Sequence, residues 1–349
     1  MVGRSASRVT LAQVATRVGV GSATVDRVIN ERGQVSEAVC RRVLAAAREL
    51  GLKRILPPPH RALVRLNVVL ARPELPLIQR MGLEFRRLAQ RMNHAIALHR
   101  TVLEDEAPAT LAAALRHGNY DGRIVYAQDH PLIRAAIADL AAHRRPVVTL
   151  ISDLPGSDRL AYAGTDHYRA GRTAGFFLGR MSPPGEVAVL CNHLGFQSHA
   201  ERVRGLTDQL AEEGRGLAPG CVVEGGDDAL RSESVLREAF RTHPGTVAVY
   251  NVGAGNRGVA GAIRAGVLAR RPNFIGHELT PLTAALLREG LMTLAIDQSP
   301  ELQAQFALEV LMSHFAVEGA GGLAPPYVAN VPIVLYCASN LPGTAPPGG

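Results

Sequence analysis

The first fifty residues alternate short apolar-periodic runs with small or polar breaks. Leu11, Val14, Ala15 and Val18 fall on one helical face and Gly19 ends the run. Thr10 precedes it, with Gln13 three positions on, the pattern of a capping box. Val25, Val28 and Ile29 mark a second run. Val39, Val43, Ala47 and Leu50 mark a third, which Ser36 should cap and Gly51 should stop. Three short helices, the first two joined by a tight glycine-containing turn, make a helix-turn-helix layout. Ser22, Ala23, Thr24, Arg27 and Asn30 point away from the apolar face of the second helix.

The pattern then changes. Residues 53–65 read KRILPPPHRALVR, and three consecutive prolines favour extended geometry. This stretch reads as a linker, and 56–63 is expected to form no stable helix. From residue 66 onward, strand-like runs at 66–71, 95–101, 122–126, 146–151, 186–191, 246–251 and 273–276 alternate with helical patterns. These include 80–92, 131–143, 168–180, 198–213, 257–269 and 280–288. Such alternation predicts parallel sheets covered by helices on both faces. About 270 residues is long for one such sheet, so two doubly wound α/β lobes are expected. The domain reading is a headpiece at 1–52, the linker at 53–65 and a two-lobed core at 66–340. Lobe one takes about 66–162 and 295–324, and lobe two about 163–294 and 325–340. Residues 341–349 read as a disordered tail.

Charge sharpens this division. The 349 residues carry a net +7, but the first 65 hold twelve Arg and Lys against four Asp and Glu. That is +8, which leaves −1 for the rest. A compact basic module on a neutral body points to a polyanion partner for the module alone. A three-helix bundle with no DNA role is the rival. No run of about 18 apolar residues suggests a membrane span, and no secretory leader is visible. Cys40, Cys191, Cys221 and Cys337 lie far apart, which argues against disulfides and structural zinc. A reduced, cytoplasmic protein without metal or cofactor is the expectation.

Catalytic patterns are missing: there is no His-Glu-x-x-His, no Gly-x-Ser-x-Gly and no Walker A. The loop GAGNRG at 253–258 is a Gly-x-Gly-x-x-Gly between a strand and a helix, with Glu278 twenty residues beyond Gly258. Locally this fits a dinucleotide fingerprint, and hence an NAD-dependent oxidoreductase. A glycine-rich loop that shapes a pocket between lobes fits equally well.

The run VTLAQVATRVGVGSATVDRVINERGQVSEAVCRRVLAAARELG at 9–51 resembles the headpiece of the lactose-repressor (LacI/GalR) family. The resemblance implies base reading by Ser22, Ala23 and Arg27, and phosphate contacts from Thr10, Thr24 and Asn30. Asp26 replaces the usual Ser beside the DNA backbone, and Gly21 replaces the usual Ser cap. RLAYAGTDHYRAGRTAGFFLG, SHAERVRGLTDQL, VAVYNVGAG, FIGHELTP and LAIDQSPELQAQFALEVL resemble the family's effector core, which is related to type I periplasmic sugar-binding proteins. This implies a cleft holding a small polar effector, such as a sugar or polyol, and a homodimer formed by the cores. The implied ligand positions are Arg202, Asn251, Glu278 and Gln298, with Asp153 a weaker one. Arg is a fork of donors, Glu an acceptor, and Asn and Gln are both, as a polyol requires. Asp166 reads as a helix cap. The resulting expectation is a non-enzymatic regulator of transcription, a repressor, that binds double-stranded operator DNA. A transport-type solute-binding protein is a further alternative.

Overall fold

The computed structural model describes residues 9–30, 32–33, 35–52, 54, 63–92, 96–317, 323, 325–327 and 331–343. Most of the linker, and 344–349 of the tail, lie outside them, so the expectations of no hinge helix and of a disordered tail fall there. The chain divides into two compact units, residues 1–63 and 64–349.

In the first unit, α1 (Leu11–Val18), α2 (Ser22–Ile29) and α3 (Glu37–Glu49) enclose one small core. Val14, Val25, Val43 and Ala47 are fully buried in it. Thr10 and Gln13 form the capping box, and Gly19 closes α1 in the left-handed region at φ 72°. Ser36 stands at the N-cap of α3, but its side chain makes no cap bond, contrary to the sequence expectation.

The second unit opens with β1 (Val64–Ala71), α4 (Pro76–Arg91), β2 (Ile96–Leu103), α5 (Pro108–Arg116), β3 (Gly122–Val125), α6 (Pro131–Ala142), β4 (Val147–Leu150) and β5 (Ala161–Ala163). Their sheet is wholly parallel, in the order β2-β1-β3-β4-β5. β3 and β4 are buried at every residue, as strands covered on both faces must be. The chain continues through α7 (His167–Met181), β6 (Gly185–Cys191), α8 (Gln197–Glu213), β7 (Leu217–Glu224), α9 (Ala229–Thr242), β8 (Thr246–Asn251), α10 (Asn256–Arg264), β9 (Asn273–His277), α11 (Pro281–Arg288) and β10 (Leu294–Asp297). It ends with α12 (Pro300–His314) and β11 (Val334–Tyr336). The second sheet runs β11-β10-β9-β8-β6-β7, with β11 alone antiparallel.

Each lobe therefore repeats one strand order: second, first, third, fourth, fifth. The sequence carries no visible repeat of it. In such sheets the order reverses beside the first strand, and ligands bind beyond the strand ends at that point. Here those points are the loops after β1 and β3 in one lobe and after β6 and β8 in the other.

One boundary is corrected. The return to lobe one does not begin at residue 295, because β10 pairs with β9 in the second sheet at Leu294–Ile275, Ala295–Gly276 and Ile296–His277. α12 is the returning element, and it packs on α4, β4 and β5. The helix expected at 257–269 stops at Arg264, because Gly266 turns left-handed at φ 67°.

Candidate functional site: a basic helix face and an interlobe cleft

In the first unit, α2 buries Val25, Val28 and Ile29 and leaves Ser22, Ala23, Arg27 and Asn30 exposed. Thr24 is half-buried. An exposed arginine on such a face can reach guanine O6 and N7 in a major groove, while hydroxyls and amides suit phosphates. Thr10 is exposed, and its hydroxyl is engaged with Gln13. Asp26 is not an open charge. Asn30 Nδ2 donates to its carboxylate at 2.7 Å, and Arg32 Nη1 lies 3.2 Å from its other oxygen. The carboxylate is thus locally compensated, but at the expense of the Asn30 amide.

In the second unit, a cleft partly open to solvent lies between the two sheets. Lobe one contributes an apolar wall from Leu75, Leu77, Ile78 and Tyr126. Tyr126 stacks on Phe196 with ring centres 5.2 Å apart, so lobe two braces it. Lobe two contributes the polar wall, with Arg202, Asp227, His277, Glu278 and Gln298. The lobes touch at the rim. Arg72 Nη1 donates to the Gly226 carbonyl at 3.3 Å, and Asn192 Nδ2 to Glu106 Oε1 at 3.0 Å.

Backbone strain gathers around the same cleft. Among the described residues, seven other than glycine have left-handed φ, and five of them are Arg72, Ile151, Asp227, Glu278 and Ser299. Four follow the ends of β1, β4, β9 and β10, and Asp227 follows β7. Such conformations cost about 1–3 kcal/mol each, and they cluster where a fold holds functional groups in place.

Of the five positions expected to hold ligand, the structure brings three to the cleft: Arg202, Glu278 and Gln298. Gln298 Nε2 donates to Glu278 Oε1 at 2.6 Å, and Gln303 holds Gln298 from behind. Burial, with the Asp297 charge second, pushes the Glu278 carboxyl up to about 8. Asn251 does not line the cleft. It is fully buried, and its amide bonds Asn256 Oδ1 at 2.7 Å and the Gly253 carbonyl at 3.0 Å, shaping the loop behind the wall. Asp153 is also elsewhere: Arg159 clasps it, and Leu154 N and Thr149 Oγ1 donate to it as well. Its acceptors are spent on the β4–β5 connection, so it is withdrawn as a ligand. Asp166 caps α7 through Arg169 N at 2.8 Å.

The glycine loop resolves against a dinucleotide. Asp227 Oδ1 accepts from Ala254 N at 2.7 Å, so a carboxylate already occupies the amide cradle that a pyrophosphate would need. A methyl at Gly253 would strike that carboxylate, and one at Gly258 would strike Ser232 and the Ala229 carbonyl of α9. These glycines admit α9 and the 227 loop, not a cofactor. Among the described residues, no group of His, Cys, Asp and Glu is arranged to hold a metal ion.

Several residues escaped the sequence reading. Asp227 follows β7, whose sequence LAPGCVVE contains Pro and Gly and does not read as a strand. Burial raises its carboxyl to about 6. Arg80 on α4 reaches Asp297 at 2.5 Å, Glu301 at 2.9 Å and Glu278 at 3.4 Å, tying lobe one to the ends of β9 and β10. His167, His199 and His277 are buried and held neutral, their imidazoles lowered by burial and by Arg202. Gly171 and Gly205 set the crossing of α7 and α8. A methyl on the first would collide with the Arg202 carbonyl, and one on the second with the Tyr168 carbonyl. Only their absence lets the backbone bearing Arg202 lie this close.

Comparison with known families agrees with this architecture. The periplasmic binding protein domain profile matches residues 106–319, and the profile of bacterial regulatory proteins of the lacI family matches residues 10–54. The chain belongs to the periplasmic binding protein domain family, with a lacI-family headpiece. Both families comprise regulators and binding proteins, not enzymes. No curated protein sequence matches the chain. Among solved structures, GanP, a glucose-galactose binding protein from Geobacillus stearothermophilus, is similar with a TM-score of 0.70 and 22% identity. The match covers 80% of this chain and 99% of that one. A solute-binding protein of an ABC transporter from Burkholderia graminis C4D1M, solved with D-arabinose, gives 0.71 and 20%, covering 79% and 96%. One from Actinobacillus succinogenes 130z with bound D-allose gives 0.69 and 18%, covering 79% and 98%. At these identities the likeness is one of fold. In this periplasmic binding protein family member, no helix among the described residues is long and apolar enough to cross a membrane.

Proposed function

We propose that this protein is a DNA-binding transcription regulator, a repressor, whose hold on a double-stranded operator is set by a small polar effector in the interlobe cleft. The observation that carries this is the pairing of two units in one chain. One is basic and exposes Arg27 on a helix; the other is neutral and has a polar-walled cleft at its strand ends. In this reading residues 1–52 bind DNA. Ser22, Ala23 and Arg27 meet bases, and Thr10 and Thr24 meet phosphates. Asn30 joins them once it leaves Asp26. Arg202, Glu278 and Gln298 hold the effector within the core at 66–340. The sugars bound by proteins of this fold favour a sugar or polyol skeleton.

The coupling is linkage. An effector that binds one closure state of the lobes more tightly shifts the protein towards it, by no more than its differential affinity. The repressor would act in the cytoplasm as a homodimer. Leu83 and Val102, both exposed on the face of α4 and β2, are apolar surface that a second core would cover. The test is operator binding by the full chain, measured by fluorescence anisotropy with and without pentoses, hexoses and their derivatives. An effector should change operator affinity at least fivefold, and Gln298→Ala should abolish that response while leaving operator binding intact. A response unchanged in Gln298→Ala and Glu278→Ala would refute the assignment of the site.

A further inference from the structure

The parallel register of the first sheet gathers the starts of its strands at one end of lobe one, opposite the cleft. Val64 pairs with Ile96, Leu66 with Gly122, Arg123 with Val147 and Val148 with Ala161. The helices α4, α5 and α6 run back to this end and stop there. Chain order therefore gathers Arg65, Arg91, Arg116, Arg144 and Arg145 on it, four of them exposed and Arg145 half-buried. Hydrogen bonds tie the segments together. Arg65 N donates to Asp121 Oδ2 at 2.7 Å, and Arg145 Nη2 to Asn119 Oδ1 at 2.8 Å. Arg123 is buried at the same end, donating to the carbonyls of His117, Gly118 and Tyr120. Burial, and then the Arg145 charge, lower its guanidinium.

Carboxylates do not balance this face. Asp121, Asp139 and Asp158 belong to the same loops and helix ends, and Arg116 takes Asp139 at 2.7 Å. Among the described residues, Arg65, Arg91, Arg144 and Arg145 pair with no carboxylate. Arg144 is also held against its backbone preference. It closes α6 in the left-handed region at φ 56°, with Arg144 N bonded to the Ala141 carbonyl and Arg145 N to the Leu140 carbonyl. Glycine is the ordinary residue at such a helix end and would be free of strain.

Two observations say what covers the face. The chain enters this unit at Val64, so the linker at 53–63 leads from this end to the headpiece. The first 65 residues carry +8, so like charges keep the headpiece itself off the face. The partner complementary to both is an extended polyanion. From β2 to β4 is three strand spacings, about 14 Å, over which a duplex presents about eight phosphate charges.

We propose that this end of lobe one is a second DNA-binding surface, on which Arg65, Arg91, Arg144 and Arg145 hold the phosphate backbone of the duplex that the headpiece reads. The inference rests on the regulator reading and gives the core a direct part in it: affinity without sequence preference. Lys53, Arg54 and Arg61 continue the same basic track through the linker sequence.

The experiment is fluorescence anisotropy of the full chain on a duplex selected from random DNA and on a scrambled one, over a range of potassium chloride concentrations. One variant combines Arg65→Gln, Arg91→Gln, Arg144→Gln and Arg145→Gln. Its plot of log affinity against log salt should be flatter by about two to four, and at about 0.1 M salt it should lose at least about tenfold on both duplexes alike. The same four positions changed to Lys should keep both slope and affinity, because a phosphate contact needs the charge. Arg144→Gly relieves the left-handed turn, so it should fold at least as stably as the parent and still flatten the slope by about one. It decides the matter should the fourfold variant fail to fold. Urea unfolding of each variant, read by tyrosine fluorescence, separates a role at the helix ends, which moves stability alone.

A slope unchanged in the fourfold Gln variant and in Arg144→Gly would overturn the proposal. If the selected duplex is then still preferred through Arg27, the regulator reading stands without it. A flattened slope with no preference between the two duplexes sustains the surface and refutes the regulator reading.

Discussion

Replacing Glu278 by Gln should stabilise the second unit at neutral and alkaline pH. Burial, and then repulsion from Asp297, raises this carboxyl from its ordinary 4.5 to about 8. Between those values the folded chain holds a proton that the unfolded chain has released. Stability therefore falls as pH rises through that window, by about 1.4 kcal/mol per pH unit. At pH 7 the window has been crossed for about two and a half units, which amounts to about 3 kcal/mol. Glutamine keeps the volume and can still accept from Gln298 Nε2, now at 2.6 Å from Oε1. Its amide N–H would face Arg80, whose Nη1 lies 3.4 Å from Oε2, and this returns part of the gain. The net expectation is about 1–3 kcal/mol at pH 7, more at pH 8, and nothing near pH 4.5. Asp227, raised from 3.8 to about 6, adds its own loss as pH rises from 3.8 to about 6, in both proteins. His167, His199 and His277 work the other way: their lowered values cost stability as pH falls below about 6.5. All seven tyrosines lie beyond Leu63, so urea unfolding read by tyrosine fluorescence reports the second unit alone. Equal slopes of stability against pH from 6 to 8 in the two proteins would refute the reasoning, as would a variant less stable than the parent at pH 8.

Arg27→Ala should cost about 1–3 kcal/mol on a specific operator and much less on random DNA, measured by anisotropy at one salt concentration; equal losses would remove its base-reading role. Asp26→Ser should free Asn30 and Arg32 from the 2.7 Å and 3.2 Å contacts they make with it and steepen the salt dependence of DNA binding by about one. An unchanged slope would mean that neither reaches phosphate. Gly171→Ala should push α8 off α7 and destabilise the second unit by about 1–3 kcal/mol in urea unfolding, and it should weaken effector response although residue 171 touches no ligand. Arg80→Met should leave the Asp297 and Glu301 carboxylates uncompensated and loosen the lobes, seen as faster amide exchange at the ends of β9 and β10.

The fold was legible where hydrophobic period and turn residues agree. Val14, Val18, Val25, Val28 and Val43 announce the three-helix unit, and the buried runs of β1, β6 and β8 announce the parallel sheets. Strands with weak local signals were not legible. β7 contains Pro219 and Gly220, β5 has three residues, and β10 has four, so pairing partners define them rather than sequence. The missing of β10 displaced the lobe boundary. In the site, residue type alone could suggest Arg202, Glu278 and Gln298. It could not reveal that Asp153 and Asn251 spend their polar atoms internally, since Arg159 and Asn256 meet them only in three dimensions. Nor could it expose the role of Gly171 and Gly205, which is the helix separation they permit.

The most direct test of the central claim is selection of binding sites from random duplex DNA by the full chain, followed by anisotropy on the selected and a scrambled duplex. The account predicts a selected sequence bound at least about a thousandfold more tightly than the scrambled one. It also predicts that the preference weakens when a cleft ligand is added and that it depends on Arg27. No enriched sequence, or a preference that survives in Arg27→Ala and ignores every ligand shown to bind the cleft, would contradict it.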